Sequence, residues 1–311
     1  MKKPSTLALV AAFAAVYAIW GSTYLGILFA IESIPPLLMA GSRYLTAGLI
    51  LYTIARMQGA PRGALADWRT AAIVGACLLL GGNGGVTVAE QFVPSGLAAV
   101  VIATVPIYIA LLGWLSGSAP RPTPVVWLGF AGGFAGVGIL LAPSLTFATS
   151  DHPHTLAGIF ILLFSAFAWS AGSLYSRRAR NAPSPFLAAG QQMLCGGVFL
   201  FVAAFARGEW QHFDARSITW LSVGAWIYLV LIGAIVGFSA YIWLLRHCDP
   251  SKVATYAYVN PIVAVFLGAM FAGEKLTLRT VVAASLIIGS VALVITAEQR
   301  KAKLSEPART S

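Results

Sequence analysis

The sequence predicts an all-α membrane protein in which ten transmembrane helices form two inverted five-helix repeats. Three observations predict this fold: an apolar composition, ten apolar segments of spanning length, and a set of residues that recurs between the two halves. Of the 311 residues, 59% are hydrophobic and only 10% are charged. A soluble domain carries about 25% charged residues, so most of the surface of this chain is predicted to face lipid.

Polar residues, proline and glycine divide the chain into ten apolar segments. Each segment is close to the roughly 20 residues that a helix needs to cross about 30 Å of hydrocarbon, and none alternates as a porin strand does. The first segment is followed by further spans and has no small-residue cleavage site, so we predict a retained helix rather than a signal peptide. The predicted spans are 7–31, 36–57, 70–92, 97–115, 125–142, 156–175, 186–206, 218–245, 253–272 and 281–297.

The distribution of lysine and arginine over the loops predicts the orientation. With a cytoplasmic N-terminus, fifteen of these residues fall on the cytoplasmic side, four fall on the other side, and Arg43 lies within a span. Short cytoplasmic loops carry such an excess, so we predict a bacterial inner-membrane protein with both termini in the cytoplasm. The net charge of +10 therefore reflects anchoring at the membrane and does not indicate nucleic-acid binding.

The two halves of the sequence are related. Because each half contains an odd number of spans, the second is inverted relative to the first, an arrangement typical of transporters with a shared site at the midplane. We predict repeats at 7–142 and 156–297, a periplasmic link at 143–155 and a cytoplasmic tail at 298–311. A shift of 149 residues matches Trp20 with Trp169, Pro36 with Pro185, Gly41 with Gly190 and Gly48 with Gly197; a shift of 156 matches Pro94-Ser95 with Pro250-Ser251, Gly117 with Gly273 and Gly129/Gly133 with Ser285/Gly289.

Small residues four apart let another helix approach closely, so Gly129/Gly133 and Ser285/Gly289 are both predicted to pack against neighbouring helices. Pro106 and Pro261 occupy equivalent places with one residue of slip. A proline within a helix frees a carbonyl four residues back, so each either breaks its helix beside the site or produces a simple kink.

Several motifs carry a resemblance to a known family. They are WGSTY at 20–24, the segment from Pro35-Pro36 through Gly41 to Arg43, GNG at 82–84, AEQ at 89–91, PSGLAA at 94–99, TYAYVNP at 255–261 and Gly273-Glu274. Together they resemble the drug/metabolite transporter superfamily, in particular its ten-helix proteins with two EamA domains and the YedA-type branch. The resemblance covers nearly the whole chain. It implies an inner-membrane exporter of small organic metabolites or drugs that works by alternating access. Ser118 stands where the second half has Glu274, so the Gly-Glu element is not repeated at this position.

Ionisable residues within a membrane are costly and mark functional sites by default. Apart from Arg56 at the cytoplasmic end of its span, the predicted spans contain two, Arg43 and Glu90, and helix geometry places both in the periplasmic third of the bilayer. They are close enough in depth to form an ion pair. Such a pair would act either as an outer gate that responds to protonation or anionic substrate, or as a static structural contact. Alternatively, the Glu90 side chain extends to the membrane interface without a partner.

Asn83 lies near mid-bilayer between Gly81-Gly82 and Gly84-Gly85. Four glycines weaken the helix and permit close approach, so Asn83 either contacts substrate or makes an interhelical hydrogen bond. The other substrate-binding or gating candidates are aromatic or amide residues, for which packing within the core is the alternative. They are Trp20, Tyr24, Trp169, Gln191, Gln192, Tyr241, Tyr256, Tyr258 and Asn260.

The sequence predicts no cofactor and no metal. Three scattered cysteines show no ligand spacing, and Asp151, His152 and His154 in the link lack an obvious fourth ligand. The chain has no GxxxxGK[ST] motif for ATP, which leaves the proton gradient or the solute's own gradient as the driving force. We expect a monomer that interacts with a small-molecule substrate and the lipid bilayer but not with nucleic acid. A membrane-embedded enzyme is the alternative, although it would need more acid–base groups than one buried carboxylate.

Overall fold

The computed structural model describes residues 5–119, 121–146, 153–248 and 250–305. In these ranges eight helices are long and apolar enough to cross a membrane, and two shorter apolar helices, Pro124–Ile139 and Val259–Phe271, complete the set. The prediction of an all-α fold with ten spans is therefore confirmed.

Proline begins four of the ten helices. It suits the first helical position because its missing N–H would have no partner there and its φ is already helical. A short helix, Pro250–Val253, precedes α9, which begins three residues after the predicted start at 253. The ten helices are α1 Thr6–Ile31, α2 Pro36–Met57, α3 Leu65–Ala89, α4 Ser95–Leu115, α5 Pro124–Thr146, α6 Pro153–Arg178, α7 Pro185–Ala206, α8 Trp220–His247, α9 Tyr256–Phe271 and α10 Leu278–Ser305.

The outer surface of the bundle carries large apolar side chains. Phe160 and Phe164 on α6 are 56% and 60% exposed, and Phe266 and Met270 on α9 are 63% and 64% exposed. A soluble protein would bury most of these groups, whereas a bilayer solvates them.

Backbone conformation supports the relation between the halves. Gly59 and Gly208, which follow α2 and α7, have φ of 83° and 74°, and Gly117 and Gly273, which follow α4 and α9, have φ of 66° and 64°. These pairs obey the same sequence shifts of 149 and 156 residues. Glycine enters this left-handed region without the penalty that a Cβ imposes, so equivalent turns in the two halves depend on it.

Glycine also lets helices of different halves approach closely. A Cβ added to Gly48 of α2 would lie 2.8 Å from the Leu194 nitrogen of α7, and one added to Gly190 of α7 would lie 2.8 Å from the Tyr52 nitrogen of α2. Such contacts replace the hydrophobic driving force that is missing between helices in lipid.

The helix packing predicted for Ser285/Gly289 is wrong. A Cβ on Gly133 would clash with Ile107 and approach Ser290 of α10, whereas one on Gly289 would meet nothing within 4 Å. The pattern of small residues recurs, but the helix contact that it predicts forms only at Gly129/Gly133, because Gly289 faces away from its neighbours.

Two helices contain long π-helical segments at equivalent places. Residues Gly75–Gly84 of α3 and Leu229–Phe238 of α8 are each ten residues long. The first includes the glycine-rich stretch around Asn83, where a weakened helix was predicted. π-Helical turns are rare and occur often at functional sites, and these two segments both border the central cavity described next.

Candidate functional site

A cavity of about 60 Å³ lies in the middle of the bundle, between the two halves. Its walls come from α1, α2, α3 and α4 of the first half and α6, α8 and α9 of the second. This volume holds only a few water molecules, so a solute needs the halves to separate. Seven predicted site residues line it: Trp20, Tyr24, Arg43, Asn83, Trp169, Tyr256 and Asn260.

Arg43 is the only charged residue in the described lining of this cavity. Its side chain is 2% exposed, and its Nε and Nη1 atoms make no hydrogen bond. The guanidinium carbon lies 4.6 Å from the centre of the Tyr44 ring, and a Cβ added to Gly233 would lie 3.3 Å from Nη2. Glycine at position 233 therefore leaves room for a buried cation that lines the cavity and has donors without a hydrogen-bond partner. Such a group favours a ligand with an anionic oxygen.

Glu90 is 3% exposed and thus as fully buried as Arg43, but it does not belong to the described lining of the cavity. Both its carboxyl oxygens lack a hydrogen-bond partner, so no hydrogen-bonded pair with Arg43 forms in this conformation. Glu90 directly follows α3 and lies seven residues after Asn83, about two turns further from the membrane face at which α1 begins. The acid thus lies beyond the cavity rather than in it.

Four aromatic residues form a cluster at one end of the cavity. The ring of Trp20 lies 5.4 Å from Trp169, 4.8 Å from Tyr241 and 5.4 Å from Tyr256, measured between centroids. The Trp169 Nε1 atom donates to the Tyr241 hydroxyl at 3.2 Å, and that hydroxyl also bonds to the Ser173 Oγ atom at 2.8 Å. Tyr241 therefore holds the indole of Trp169 in place without lining the cavity itself, whereas Trp20 and Trp169 both line it.

A larger cavity of about 760 Å³ lies on the far side of the aromatic cluster, at the membrane face where α1 begins. We call this the N-terminal face, and the other the opposite face. The lining of this larger cavity includes Arg177, Arg246, His247 and Lys252. Among the described residues it includes no acidic side chain. Arg246 donates to the carbonyl oxygens of Ala182 at 2.9 Å and Pro183 at 3.1 Å. The larger cavity is therefore a wide, basic entrance, and the aromatic cluster lies between it and the central cavity.

The two predicted helix-break positions differ. α4 is interrupted at Ala103 and Thr104, and Pro106 is the second residue of its second part, Val105–Leu115. Pro261 lies inside α9, and the interruption in that half falls earlier, at Ala254 and Thr255. The sequence match between the prolines therefore does not place the breaks at equivalent points.

Other predicted residues lie away from the cavity. Gln191 and Gln192 are buried in α7, and the Gln192 amide nitrogen donates to Asn181 Oδ1 at 3.4 Å. Tyr258 belongs to α9, but its side chain lies outside the described residues. Asp151 and His152 also lie outside them, and His154 stacks on Phe92 at 5.5 Å. Among the described residues no three His, Cys, Asp or Glu side chains cluster as metal ligands would.

Sequence reasoning missed two carboxylate contacts at the opposite face. Glu209 accepts hydrogen bonds from backbone nitrogens at the start of α2, and Glu274 does so at the start of α4. Each glutamate follows a positive-φ glycine, Gly208 or Gly273. The dipeptide Gly-Glu at both places was the signal available in the sequence.

Comparison with known proteins places the chain in a family. The model of the EamA-like transporter family matches residues 6–142 and again 156–296. The inner membrane transporter YedA of Escherichia coli K12 is 39% identical over 94% of this chain and 92% of its own length. A probable amino-acid metabolite efflux pump of Salmonella typhimurium is 24% identical over 89% of this chain and 91% of its own length. A crystal structure with a TM-score of 0.66 and 18% identity covers 96% of this chain and 99% of that one, which supports the fold alone. This chain is a membrane transporter that belongs to the EamA-like transporter family.

Proposed function

We propose that this protein exports a small organic solute with an anionic group from the cytoplasm to the periplasm by alternating access. The observation that carries the proposal is the buried guanidinium of Arg43, whose Nε and Nη1 donors are unused and which lines the central cavity. A carboxylate can accept hydrogen bonds from two N–H groups of one guanidinium in a bidentate contact, and the surrounding rings would cover the apolar part of the solute. The named efflux pump among the relatives acts on amino-acid metabolites, which commonly carry such a carboxylate.

The charge distribution supports the direction. Fifteen lysines and arginines on the N-terminal face against four on the opposite face favour a cytoplasmic N-terminal face. The basic entrance of about 760 Å³ would then open to the cytoplasm and raise the local concentration of an anionic solute. The driving force is the proton gradient or the gradient of the solute, and the working unit is a monomer.

Enzymatic catalysis is the second candidate, and the cavity favours transport instead. Among the described residues of its lining, none carries a carboxyl, imidazole, thiol or amine group. The hydroxyl groups in the lining therefore have no carboxylate, imidazole or amine beside them in the cavity to activate one of them as a nucleophile.

Transport assays in inside-out vesicles test the proposal. We expect uptake of carboxylate-bearing solutes, weak uptake of their neutral amides, and loss of carboxylate uptake in Arg43→Gln with partial retention in Arg43→Lys. Equal transport of acids and amides by the parent protein would contradict an anionic substrate. Cysteine labelling at Asp214 from the periplasm, and at Asn181 only after permeabilisation, checks the orientation; the reverse pattern would overturn the direction.

A further inference from the structure

Glu274 joins the two halves at the opposite face. Its Oε1 atom accepts from the Ser95 backbone nitrogen at 2.7 Å and from the Ser95 hydroxyl at 2.6 Å, and Oε2 accepts from the Gly96 nitrogen at 3.0 Å. Glu274 belongs to the second repeat, whereas Ser95 and Gly96 begin α4 of the first. One carboxylate therefore holds the end of a helix almost 180 residues away in the chain.

Glu209 makes the same kind of contact with α2. Its Oε2 atom accepts from the Leu37 nitrogen at 2.9 Å and from the Leu38 nitrogen at 3.0 Å. The side chain is 7% exposed, although it lies in the connection between α7 and α8. A second carboxylate of the second repeat thus holds a second helix of the first repeat at the same face.

These contacts replace caps that the helices lack locally. The residues before α2 and α4 are Pro35 and Pro94, and neither makes a side-chain capping bond. The first N–H groups of a helix have no partner within it and carry a partial positive charge. Hydrogen bonds from such groups to a carboxylate are charge-assisted and strong. The N-termini of α2 and α4 therefore have their observed charged partners only while the two halves are together.

At the N-terminal face, no glutamate or aspartate of the described residues accepts hydrogen bonds from the start of a helix in the other half. The residues equivalent to Glu209 and Glu274 under the sequence shifts are Ala60 and Ser118. Alanine has no acceptor, and the Ser118 hydroxyl donates to the Gly113 carbonyl of its own half at 2.9 Å. An ion pair between the halves at this face joins Asp67 to Arg180, and the Arg180 side chain is 72% exposed. An exposed pair of this kind contributes little.

We propose that Glu209 and Glu274 are positioning residues of the transport cycle that hold the opposite face closed. Together with the N–H groups of Leu37, Leu38, Ser95 and Gly96 they form what we call the outer latch. Opening this face must break the latch, whereas closing the N-terminal face forms no equivalent. The outer latch therefore biases the empty protein toward the state that is open at the N-terminal face. The inference rests on the proposed orientation and on alternating access.

Two glycines make room for the latch. A Cβ added to Gly268 of α9 would lie 2.5 Å from Oε2 of Glu274, and one added to Gly96 would lie 3.1 Å from the same atom. A methyl group at position 268 would displace the carboxylate without removing its charge. Gly268→Ala is thus a second way to open the latch, independent of substitution at Glu274.

The test measures from which face single cysteines can be reached. In a chain whose Cys77, Cys195 and Cys248 are replaced by serine, Val86→Cys reports on the central cavity and Ser176→Cys on the larger one, since each lines its cavity. A membrane-impermeant maleimide is applied to intact cells for Val86→Cys and to inside-out vesicles for Ser176→Cys. Labelling at Asp214→Cys establishes the orientation first, and no substrate is needed, so failure of the latch and failure of the proposed function give different results.

Glu209→Ala and Glu274→Ala should each raise the rate of Val86→Cys labelling by about tenfold, because each loses charge-assisted hydrogen bonds. Labelling of Ser176→Cys should fall at the same time. Glu274→Gln should have a smaller effect, since its amide oxygen can still accept from Ser95. Glu32→Gln is the matched control, because Glu32 is exposed at the same face, and it should leave both rates unchanged.

Unchanged labelling in variants that remain folded would overturn the proposal, and so would a rise at both reporters, which indicates a loosened bundle instead of a shift between two states. If the alanine variants do not fold, Glu274→Gln and Gly268→Ala decide the question by the same two rates.

Discussion

The two halves share one helical plan, yet equivalent positions in them have different surroundings. Arg43 of α2 lines the central cavity with unused donors, whereas Gln192, its equivalent in α7, is buried away from the cavity and bonds to Asn181. Glu90 lies four residues before Pro94, and Arg246 lies four residues before Pro250, so the equivalent charges have opposite sign. The two repeats therefore share the arrangement of their helices, but equivalent polar side chains differ between them. Matched substitutions in the two halves measure how far this divergence goes.

The largest difference is expected for the glycines of α5 and α10. Gly133→Leu should lower the free energy of unfolding by about 3 kcal/mol, because the added side chain meets Ile107 and Ser290 in a tight interface. Gly289→Leu is the matched variant, and it should be close to neutral since no atom lies within 4 Å of its Cβ. Thermal unfolding in detergent measures both. Equal destabilisation would mean that the two faces are packed alike and would remove the asymmetry described here.

A smaller but still large difference is expected in transport between Arg43 and Gln192. Arg43→Gln should reduce uptake into inside-out vesicles by about 100-fold, because the anionic group of the solute would be left without its buried cation. Gln192→Ala should change uptake by less than about threefold, since Gln192 does not contact the cavity. Folded yield by size-exclusion chromatography provides the control. A comparable loss in both variants would show that the substrate site extends toward α7.

The smallest effect is expected for Glu90. Glu90→Gln should keep the fold and alter uptake by about tenfold or less. Because the glutamine side chain cannot take up a proton, the pH profile of uptake should also become flatter where the acid couples the gate to protonation. In unfolding experiments its effect should not simply add to that of Arg43→Ala, because the two buried groups interact electrostatically although they share no hydrogen bond in this conformation. The transport measurements give a separate answer. A loss from Arg43→Ala that is larger in the parent than in Glu90→Gln would indicate that the two side chains meet in another state of the cycle.

The sequence predicted the frame of the molecule because the bilayer fixes the length of each apolar segment. Trp20, Arg43 and Asn83 were recognisable as site candidates because each is a polar or amphipathic residue within an apolar span. Gln191 and Gln192 have the same depth signal, but depth does not say in which direction a helical residue points. The π-helical segments of α3 and α8 change that direction further, and no pattern in the sequence marks their ends.

Glu209 and Asp67 were missed for a different reason. Both lie outside the predicted spans, where charged residues are common and usually face water. Their contacts come from distant parts of the chain. Glu209 meets the start of α2 at Leu37 and Leu38, and Asp67 meets the loop that contains Arg180. Long-range contacts of this kind require the tertiary arrangement.

The contact between Trp20 and Trp169 has a consequence for the motion of the molecule. These residues are equivalent in the two repeats, and their rings touch at 5.4 Å. Two points that a two-fold operation exchanges can touch only if they lie beside its axis. When inverted repeats exchange their conformations, displacement is smallest near that axis and grows toward both membrane faces. The tryptophan pair is thus expected to lie near the pivot of the rocking movement, and its separation should change less than the distances at either face.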